Sequence, residues 1–216
     1  MSVTDIFVQL LSGMGVTVAI FFLTLLFSLP LGLVLAFGRM SKNKIVMGIT
    51  KVYISIMRGT PLMLQLMVVF FGPYFLFGIK LTPSYRFTAV IIGFVLNYAA
   101  YFAEIYRSGI ESIPKGQREA ATVLGYTRSQ TFFTIILPQV IKRVLPPVTN
   151  EVITLVKDTS LAFVIAVAEM FTTAKAIVAA QGTMMPFLIA AIFYYVFNII
   201  VALVMERFEK KLSYYS

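Results

Sequence analysis

Four stretches of this chain carry no charged side chain, and their length limits the fold more than any other feature of the sequence. They run from Ile6 to Gly38, from Gly59 to Ile79, from Phe87 to Ala103 and from Ala176 to Met205. A helix needs about 20 apolar residues to cross the hydrocarbon core of a bilayer. Because backbone amides find no water there, such segments must be helical. The sequence therefore predicts an all-α integral membrane protein.

The composition supports this class and removes much of the usual chemistry of enzymes. Apolar residues make up 59% of the chain, charged residues make up 12%, and the mean hydropathy is +0.90. These values lie far from those of soluble domains. The chain has no cysteine and no histidine, which excludes disulfides, thiolate metal sites and the commonest general base. We expect no catalytic residue, no metal site and no cofactor in this chain.

The net charge of +9 is concentrated in short segments between the apolar stretches. Most lysines and arginines lie in residues 39–58, 107–143 and 207–211. Short loops rich in these residues stay in the cytoplasm. The pattern predicts a multi-pass protein of the lipid bilayer, with its N-terminus outside and its C-terminus in the cytoplasm. It does not favour a nucleic acid partner.

Alternating the basic loops with the apolar stretches predicts five transmembrane helices in a single domain, residues 1–216. The predicted spans are about 13–38, 45–78, 87–107, 138–157 and 186–206. We expect Pro30 and Gly32 to bend the first span, and the run from Arg58 to Pro61 to interrupt the second. Residues 158–182 are too polar for a simple span and are predicted to form short helices folded back at the outer leaflet.

Residues 114–137, called here the coupling segment, form the predicted cytoplasmic connection between the third and fourth spans. Residues 117–124 can form two helical turns with an apolar face that contains Ala120, Val123 and Leu124. This amphipathic helix fits two interpretations. It is either a knob that docks a soluble partner or a helix that lies on the lipid headgroups.

The second half of the coupling segment contains signals for a turn and a new helix. Gly125 is suited to a left-handed position at the end of the first helix. Thr127 and Gln130 have the spacing of a capping box. The sequence therefore predicts a second short helix, which ends toward Leu137 and Pro138.

The same segment resembles the signature of a transporter family. Glu119-Ala120-Ala121, then Gly125, then Ile135-x-Leu137-Pro138 are similar to the EAA motif in permease subunits of binding-protein-dependent ABC importers. Further patches resemble the polar amino acid uptake branch of that family (arginine, histidine or glutamine type): Arg58 to Leu62, Asn97 to Tyr101 with Ala103 to Ile110, and Leu155 to Leu161. The resemblance covers nearly the whole chain. It implies the type I ABC importer permease fold, with five spans and a cytoplasmic coupling helix.

The resemblance also implies partners. In that family the coupling helix sits in a groove of a cytoplasmic ATPase subunit, which here implies contacts from Arg118, Glu119, Ala120, Ala121, Leu124 and Gly125. The working unit has two permease subunits, identical or similar, two ATPase subunits and an extracytoplasmic amino-acid-binding protein, in the plasma membrane of a prokaryote. The chain has no Gly-x-x-x-x-Gly-Lys-Ser/Thr loop, so ATP and Mg²⁺ are expected on the ATPase.

Polar side chains inside the spans mark a predicted substrate path, because such residues are costly in lipid and seldom face it. The predicted path residues are Thr60, Gln65, Asn97, Tyr101, Glu151, Thr154 and Asp158. Hydrogen bonding between helices is the alternative role for polar residues in a bundle. Both roles remain open for Asn97 and Glu151.

Some charged residues favour a structural interpretation. Lys157 can neutralise Asp158 as an ion pair near the outer end of its span, and Glu104 can pair with Arg107 near the inner end. In the second span, Thr60 can cap a half-helix that starts at Pro61. That helix end would suit a substrate carboxylate, or it is a simple kink whose Arg58 anchors to headgroups.

Taken with the resemblance, these features predict the transmembrane subunit of an ATP-driven importer that works by alternating access. A polar or cationic amino acid is the expected substrate. Glu151, Asp158 and Glu169 would suit a cationic one, although the resemblance implies such acids whatever the ligand. A secondary carrier is the first alternative; it would need no ATPase and usually contains internal repeats. An intramembrane enzyme is the second, and it is disfavoured by the absence of histidine and cysteine.

Overall fold

A computed structural model describes residues 2–212, which fold into helices joined by short turns. The helices are α1 (Val3–Arg39), α2 (Lys44–Gly59), α3 (Leu62–Phe77), α4 (Tyr85–Glu111), α5 (Lys115–Val123), α6 (Arg128–Gln130), α7 (Leu137–Asp158), α8 (Met170–Gln181) and α9 (Met185–Leu212). A π-helical turn, Thr131–Ile136, joins α6 to α7, and a 3₁₀ helix, Thr159–Ile165, follows α7.

Within the described residues, α1, α4 and α9 are each long and apolar enough to cross a membrane. Two bent pairs pass the same test when the helices of each pair are taken together: α2 with α3, at 111°, and the helical run Arg128–Ile165 with α8, at 56°. If each bent pair is one span, the described residues give five crossings, the predicted number. The sharp break between α2 and α3 falls at Thr60 and Pro61, within the run where an interruption was predicted.

The first helix is longer than the predicted span because a capping box starts it early. The hydroxyl of Ser2 accepts a hydrogen bond from the amide of Asp5, and the amide of Ser2 donates to the Asp5 carboxylate at 2.9 Å. The helix continues through Pro30. Gly32 allows α1 to approach α4, because a Cβ at this position would lie 2.8 Å from Cβ of Phe102.

The central helix of the bundle is α4, which packs against α1, α2, α3 and α7. Phe94, Tyr98 and Phe102 lie one turn apart on it and are at most 2% exposed. Membrane helices associate through close packing and hydrogen bonds, since leaving lipid gives no hydrophobic gain. This buried aromatic row therefore fixes the position of the polar residues that α4 carries.

The second half of the chain differs from the prediction at one junction. The helix that begins at Arg128 does not end toward Leu137 and Pro138; it continues through the π-helical turn into α7. Pro138 directly follows the π-helical turn, a local change of hydrogen bonding at which a helical run continues past a proline. Beyond α7, the short helices predicted in residues 158–182 are the 3₁₀ helix and α8.

Candidate functional site

The predicted path residues meet at one cleft of about 320 Å³, called here the α4–α7 cleft. Six of the seven line it: Thr60, Asn97, Tyr101, Glu151, Thr154 and Asp158. They come from the break between α2 and α3, from α4 and from α7. The seventh residue, Gln65, is not in the lining but contacts two residues that are.

A network of side-chain amides builds one wall of this cleft. Nδ2 of Asn97 donates to the carbonyl of Met57 at 3.1 Å and to Oε1 of Gln65 at 2.9 Å. Nε2 of Gln65 donates to the same carbonyl at 2.9 Å, to the carbonyl of Thr60 at 3.1 Å and to its hydroxyl at 2.8 Å. The last carbonyls of a helix lack partners within the helix. These amides satisfy them at the end of α2 and tie the break to α4.

The network assigns different places to the two amide residues. Asn97 is 5% exposed, lines the cleft and also holds its wall. The inter-helix role of Asn97 is therefore observed, whereas its role in a substrate path stays a prediction. Gln65 supports the wall from behind.

The predicted capping role of Thr60 is wrong. Its hydroxyl donates backwards to the carbonyl of Ile56 at 2.9 Å, and Pro61 is the N-cap of α3, without a side-chain cap. A residue before proline is held in an extended conformation, as Thr60 is, with φ −123° and ψ 148°. The start of α3 nevertheless faces the cleft, since Pro61 and Leu62 both line it.

Two carboxylates, Glu151 and Asp158, lie on the α7 side of the cleft. The predicted ion pair between Lys157 and Asp158 is wrong: within residues 2–212, no contact of 4.0 Å or less joins their charged atoms. Successive residues of a helix point about 100° apart, and Lys157 is exposed. Instead, Oη of Tyr98 donates to Oδ2 of Asp158 at 2.7 Å.

Tyr98 and Arg58 are the functional candidates that sequence reasoning missed at this cleft. Tyr98 is a lining residue, but on this span only Asn97 and Tyr101 were predicted to line the path. The guanidinium of Arg58 lies over the ring of Tyr101, 5.3 Å from its centroid, in the range of a cation–π contact. Arg58 therefore lies against a lining residue of the cleft, a contact that its predicted role as a headgroup anchor did not include.

The predicted pair of Glu104 and Arg107 is confirmed. Nε of Arg107 donates to Glu104 at 2.7 Å, and its terminal nitrogens contact Glu104 and Glu111. Glu104 therefore belongs to a charge cluster at the end of α4 and not to the cleft lining.

The coupling segment has a well-defined turn. Gly125 has φ +80°, as predicted for a left-handed position. The amide of Gly125 donates to the carbonyl of Thr122 at 3.0 Å, and the amide of Tyr126 donates to the carbonyl of Ala121 at 3.0 Å. These two bonds define a Schellman motif.

The predicted capping box is confirmed directly after this turn. The hydroxyl of Thr127 accepts from the amide of Gln130 at 3.3 Å, and the amide of Thr127 donates to the Gln130 side chain at 2.9 Å. The orientation of α5 relative to the following helix is therefore fixed by hydrogen bonds on both sides of the glycine.

The outer face of the coupling segment is apolar and exposed. Val123 is 88% exposed and Leu124 is 74% exposed. Of the six predicted contact residues, Arg118, Glu119, Ala120, Leu124 and Gly125 are exposed, whereas Ala121 is 2% exposed and supports the helix from inside. These side chains are therefore not covered by the described residues of this chain.

Comparison with known proteins gives consistent matches along most of the chain. A family profile described as the inner membrane component of binding-protein-dependent transport systems matches residues 28–214. The L-cystine transport system permease protein TcyB of Bacillus subtilis (strain 168) is 38% identical over 94% of this chain and 86% of its own length. The arginine transport system permease protein ArtQ of the same organism is 36% identical over 94% of this chain and 92% of its own.

A solved structure agrees with these relatives. The crystal structure of an amino acid ABC transporter with histidines contains a chain that superposes with a TM-score of 0.87 at 31% identity. The match covers 98% of this chain and 100% of that one.

Proposed function

The chain belongs to the family of inner membrane components of binding-protein-dependent transport systems, and on that premise we propose that it carries a polar or cationic amino acid through the α4–α7 cleft. It is the permease subunit of an amino acid ABC importer and is not the subunit that hydrolyses ATP. The observation that carries the proposal is the meeting of six polar side chains from three separate segments at one cleft.

The cleft offers complementary groups for an amino acid. Glu151 and Asp158 would bind ammonium or guanidinium groups of the substrate. The start of α3 faces the same space at Leu62, and the free amides of a helix N-terminus suit a carboxylate. Carboxylates within membrane spans are energetically costly, and those that occur usually have a function. This supports a substrate role for Glu151 and Asp158.

The same α7 helix connects the cleft to the coupling segment. The helical run from Arg128 to Ile165 is continuous, and it contains both carboxylates of the cleft. A push on the coupling segment would therefore be transmitted along one helix to the substrate groups. We propose that the ATPase binds the exposed face of α5, with ATP and Mg²⁺ held by that subunit, and drives alternating access in this way.

The proposal includes the rest of the assembly. A second permease subunit, identical or similar, would face this one, and an extracytoplasmic amino-acid-binding protein would deliver the substrate. The coupling segment and the C-terminus would lie in the cytoplasm and the N-terminus outside, in the plasma membrane of a prokaryote. The positive residues near the coupling segment support this orientation.

The test is reconstitution of the permease in liposomes with its cognate ATPase and binding protein. Amino acids, sugars and metal ions are compared for their stimulation of ATP turnover and for uptake. We expect stimulation by amino acids, greatest for lysine, arginine or histidine. Stimulation by sugars or metal ions, with none by amino acids, would overturn the proposal.

Substitution of a cleft acid sharpens this test. Glu151→Gln removes one negative charge from the lining and is expected to reduce uptake of cationic amino acids more than uptake of glutamine. Glu206→Gln is the matched control, since Glu206 is exposed on α9 and pairs with Lys210. Equal effects of the two changes would contradict the role of Glu151.

A further inference from the structure

A second cleft, called here the arginine cleft, lies within the coupling segment. It measures about 380 Å³ and lies between α5 and the start of the helical run that leads into α7. Arg118 of α5 and Arg128 of α6 both line it, together with Tyr126. Its less exposed lining residues are Thr131, Phe132 and Ile136, and the last is 1% exposed. The cleft thus combines a cationic rim with a mostly apolar base.

Within residues 2–212, neither guanidinium of this cleft contacts an acidic side chain. No acidic residue lines it, and no ion pair of 4.0 Å or less reaches Arg118 or Arg128. Arg107 differs, since it pairs with two glutamates. Two like charges beside one cleft repel each other. An anion from outside the chain would relieve this repulsion by binding in the cleft.

We propose that the arginine cleft binds an acidic side chain of the ATPase subunit, accompanied by an apolar neighbour on the same surface. This inference rests on the proposed function, which brings the ATPase to α5. The guanidinium fork matches a carboxylate in two-point geometry. The apolar base excludes water and strengthens that contact.

A protein surface fits this site better than a lipid headgroup does. Val123 and Leu124, 88% and 74% exposed, lie on the same helix as Arg118. The Schellman turn and the capping box fix both flanks of the cleft. A folded partner can cover the apolar side chains and supply the carboxylate in one interface, with charge complementarity setting the register.

The experiment measures the affinity of the purified ATPase for the permease in nanodiscs of phosphatidylcholine alone and in nanodiscs that also contain phosphatidylglycerol. Arg118→Glu and Arg128→Glu are compared with Lys115→Glu, which makes the same charge change on an exposed residue of α5 outside the cleft. We expect each arginine variant to bind at least about thirtyfold more weakly. We expect Lys115→Glu to weaken binding less than about fivefold.

Several outcomes would overturn the inference. Equal losses in all three variants would indicate general charge attraction. Losses that appear only when the nanodiscs contain phosphatidylglycerol would assign the cleft to an anionic lipid. If the wild-type permease binds the ATPase but the arginine variants bind equally well, the inference alone fails. If the wild type binds no ATPase, the proposed function fails with it.

Photo-crosslinking identifies the partner group directly. A benzophenone amino acid replaces Tyr126 in the assembled, ATP-hydrolysing complex. The crosslinked ATPase peptide is expected to contain an aspartate or glutamate, and changing that acid to lysine should restore binding to the Arg128→Glu permease. A crosslinked peptide without an acid, or no recovery of binding by the exchanged charge, would contradict the proposal.

Discussion

The α4–α7 cleft and the coupling segment differ in whether their side chains find partners within this chain. In the cleft, Asn97 is 5% exposed and its amide is hydrogen bonded to Met57 and Gln65. In the coupling segment, Leu124 is 74% exposed, and the two arginines of the arginine cleft have no acidic partner among the described residues. The amides of the cleft wall are hydrogen bonded within the chain, whereas the coupling segment presents apolar and cationic side chains to its surroundings.

This difference predicts which property each region controls. Changes in the cleft wall should lower the stability of the folded permease and its transport, with little effect on ATPase binding. Changes on the outer face of the coupling segment should remove ATPase binding without affecting stability. The following substitutions test this separation.

The largest effect is expected from the double substitution Val123→Asp and Leu124→Asp. Each apolar side chain buried in an interface contributes about 1.5–3 kcal/mol, so ATPase binding should weaken at least about a hundredfold. The midpoint of thermal unfolding should stay within about 2 °C, because both side chains are already exposed. Binding is measured in nanodiscs and unfolding in detergent. Retained binding or a large loss of stability would break the comparison.

Asn97→Leu should have the next largest effect, which is on stability and transport and not on ATPase binding. It leaves the Met57 carbonyl and the Gln65 amide oxygen with one donor fewer, at a cost of about 2 kcal/mol in the free energy of unfolding. The unfolding midpoint and substrate uptake should fall, while ATPase affinity stays unchanged. Asn198→Leu is the control, since Oδ1 of Asn198 is buried without a hydrogen bond. An equal loss of stability in Asn198→Leu and Asn97→Leu would contradict the role of the amide network.

Gly125→Ala tests the rigidity of the coupling segment. A side chain at φ +80° costs about 1–2 kcal/mol, and no neighbouring atom within 4 Å would contribute a clash. We expect ATPase-coupled uptake to fall severalfold. Gly116→Ala lies on α5, where alanine favours the helix and also meets no atom within 4 Å. It should leave coupling unchanged, and a loss as large as that of Gly125→Ala would contradict the prediction.

Tyr98→Phe should have the smallest effect. It removes only the hydroxyl that donates to Asp158, a contribution of about 1 kcal/mol, and should change the apparent substrate affinity severalfold. Tyr85→Phe is the control, because that hydroxyl donates to the Val69 carbonyl at 3.1 Å, away from the cleft. Substrate dependence of ATP turnover measures both. An effect on ATPase binding instead would place Tyr98 outside the path.

Local signals made much of this structure predictable. Proline after Thr60 indicated the break in the second span, and Gly125 with Thr127 and Gln130 indicated the turn of the coupling segment. In each case the conformation depends on residues within a few positions of one another. The six cleft residues were also predictable as a group, because polar side chains in lipid are rare.

What the sequence did not predict concerns hydrogen bonds between residues that are distant in the sequence, and one helix that continues past a predicted end. Asp158 was assigned to its neighbour Lys157, whereas its donor, Tyr98, lies on α4 and reaches it only through the packing of α4 on α7. The amide network of Gln65 and Asn97 likewise depends on the 111° bend, which sequence does not quantify. At Pro138 the proline indicated a helix end, although the π-helical turn before it continues directly into α7.

The most direct test of the separation between path and motor is uptake of radiolabelled arginine and lysine by proteoliposomes with and without the ATPase. The binding protein is present outside, and ATP is present inside. We predict accumulation only when the ATPase and ATP are both present, and none under a sodium or proton gradient alone. Accumulation by the permease without any ATPase, at a comparable rate, would contradict the assignment of this chain as the path of an ATP-driven importer.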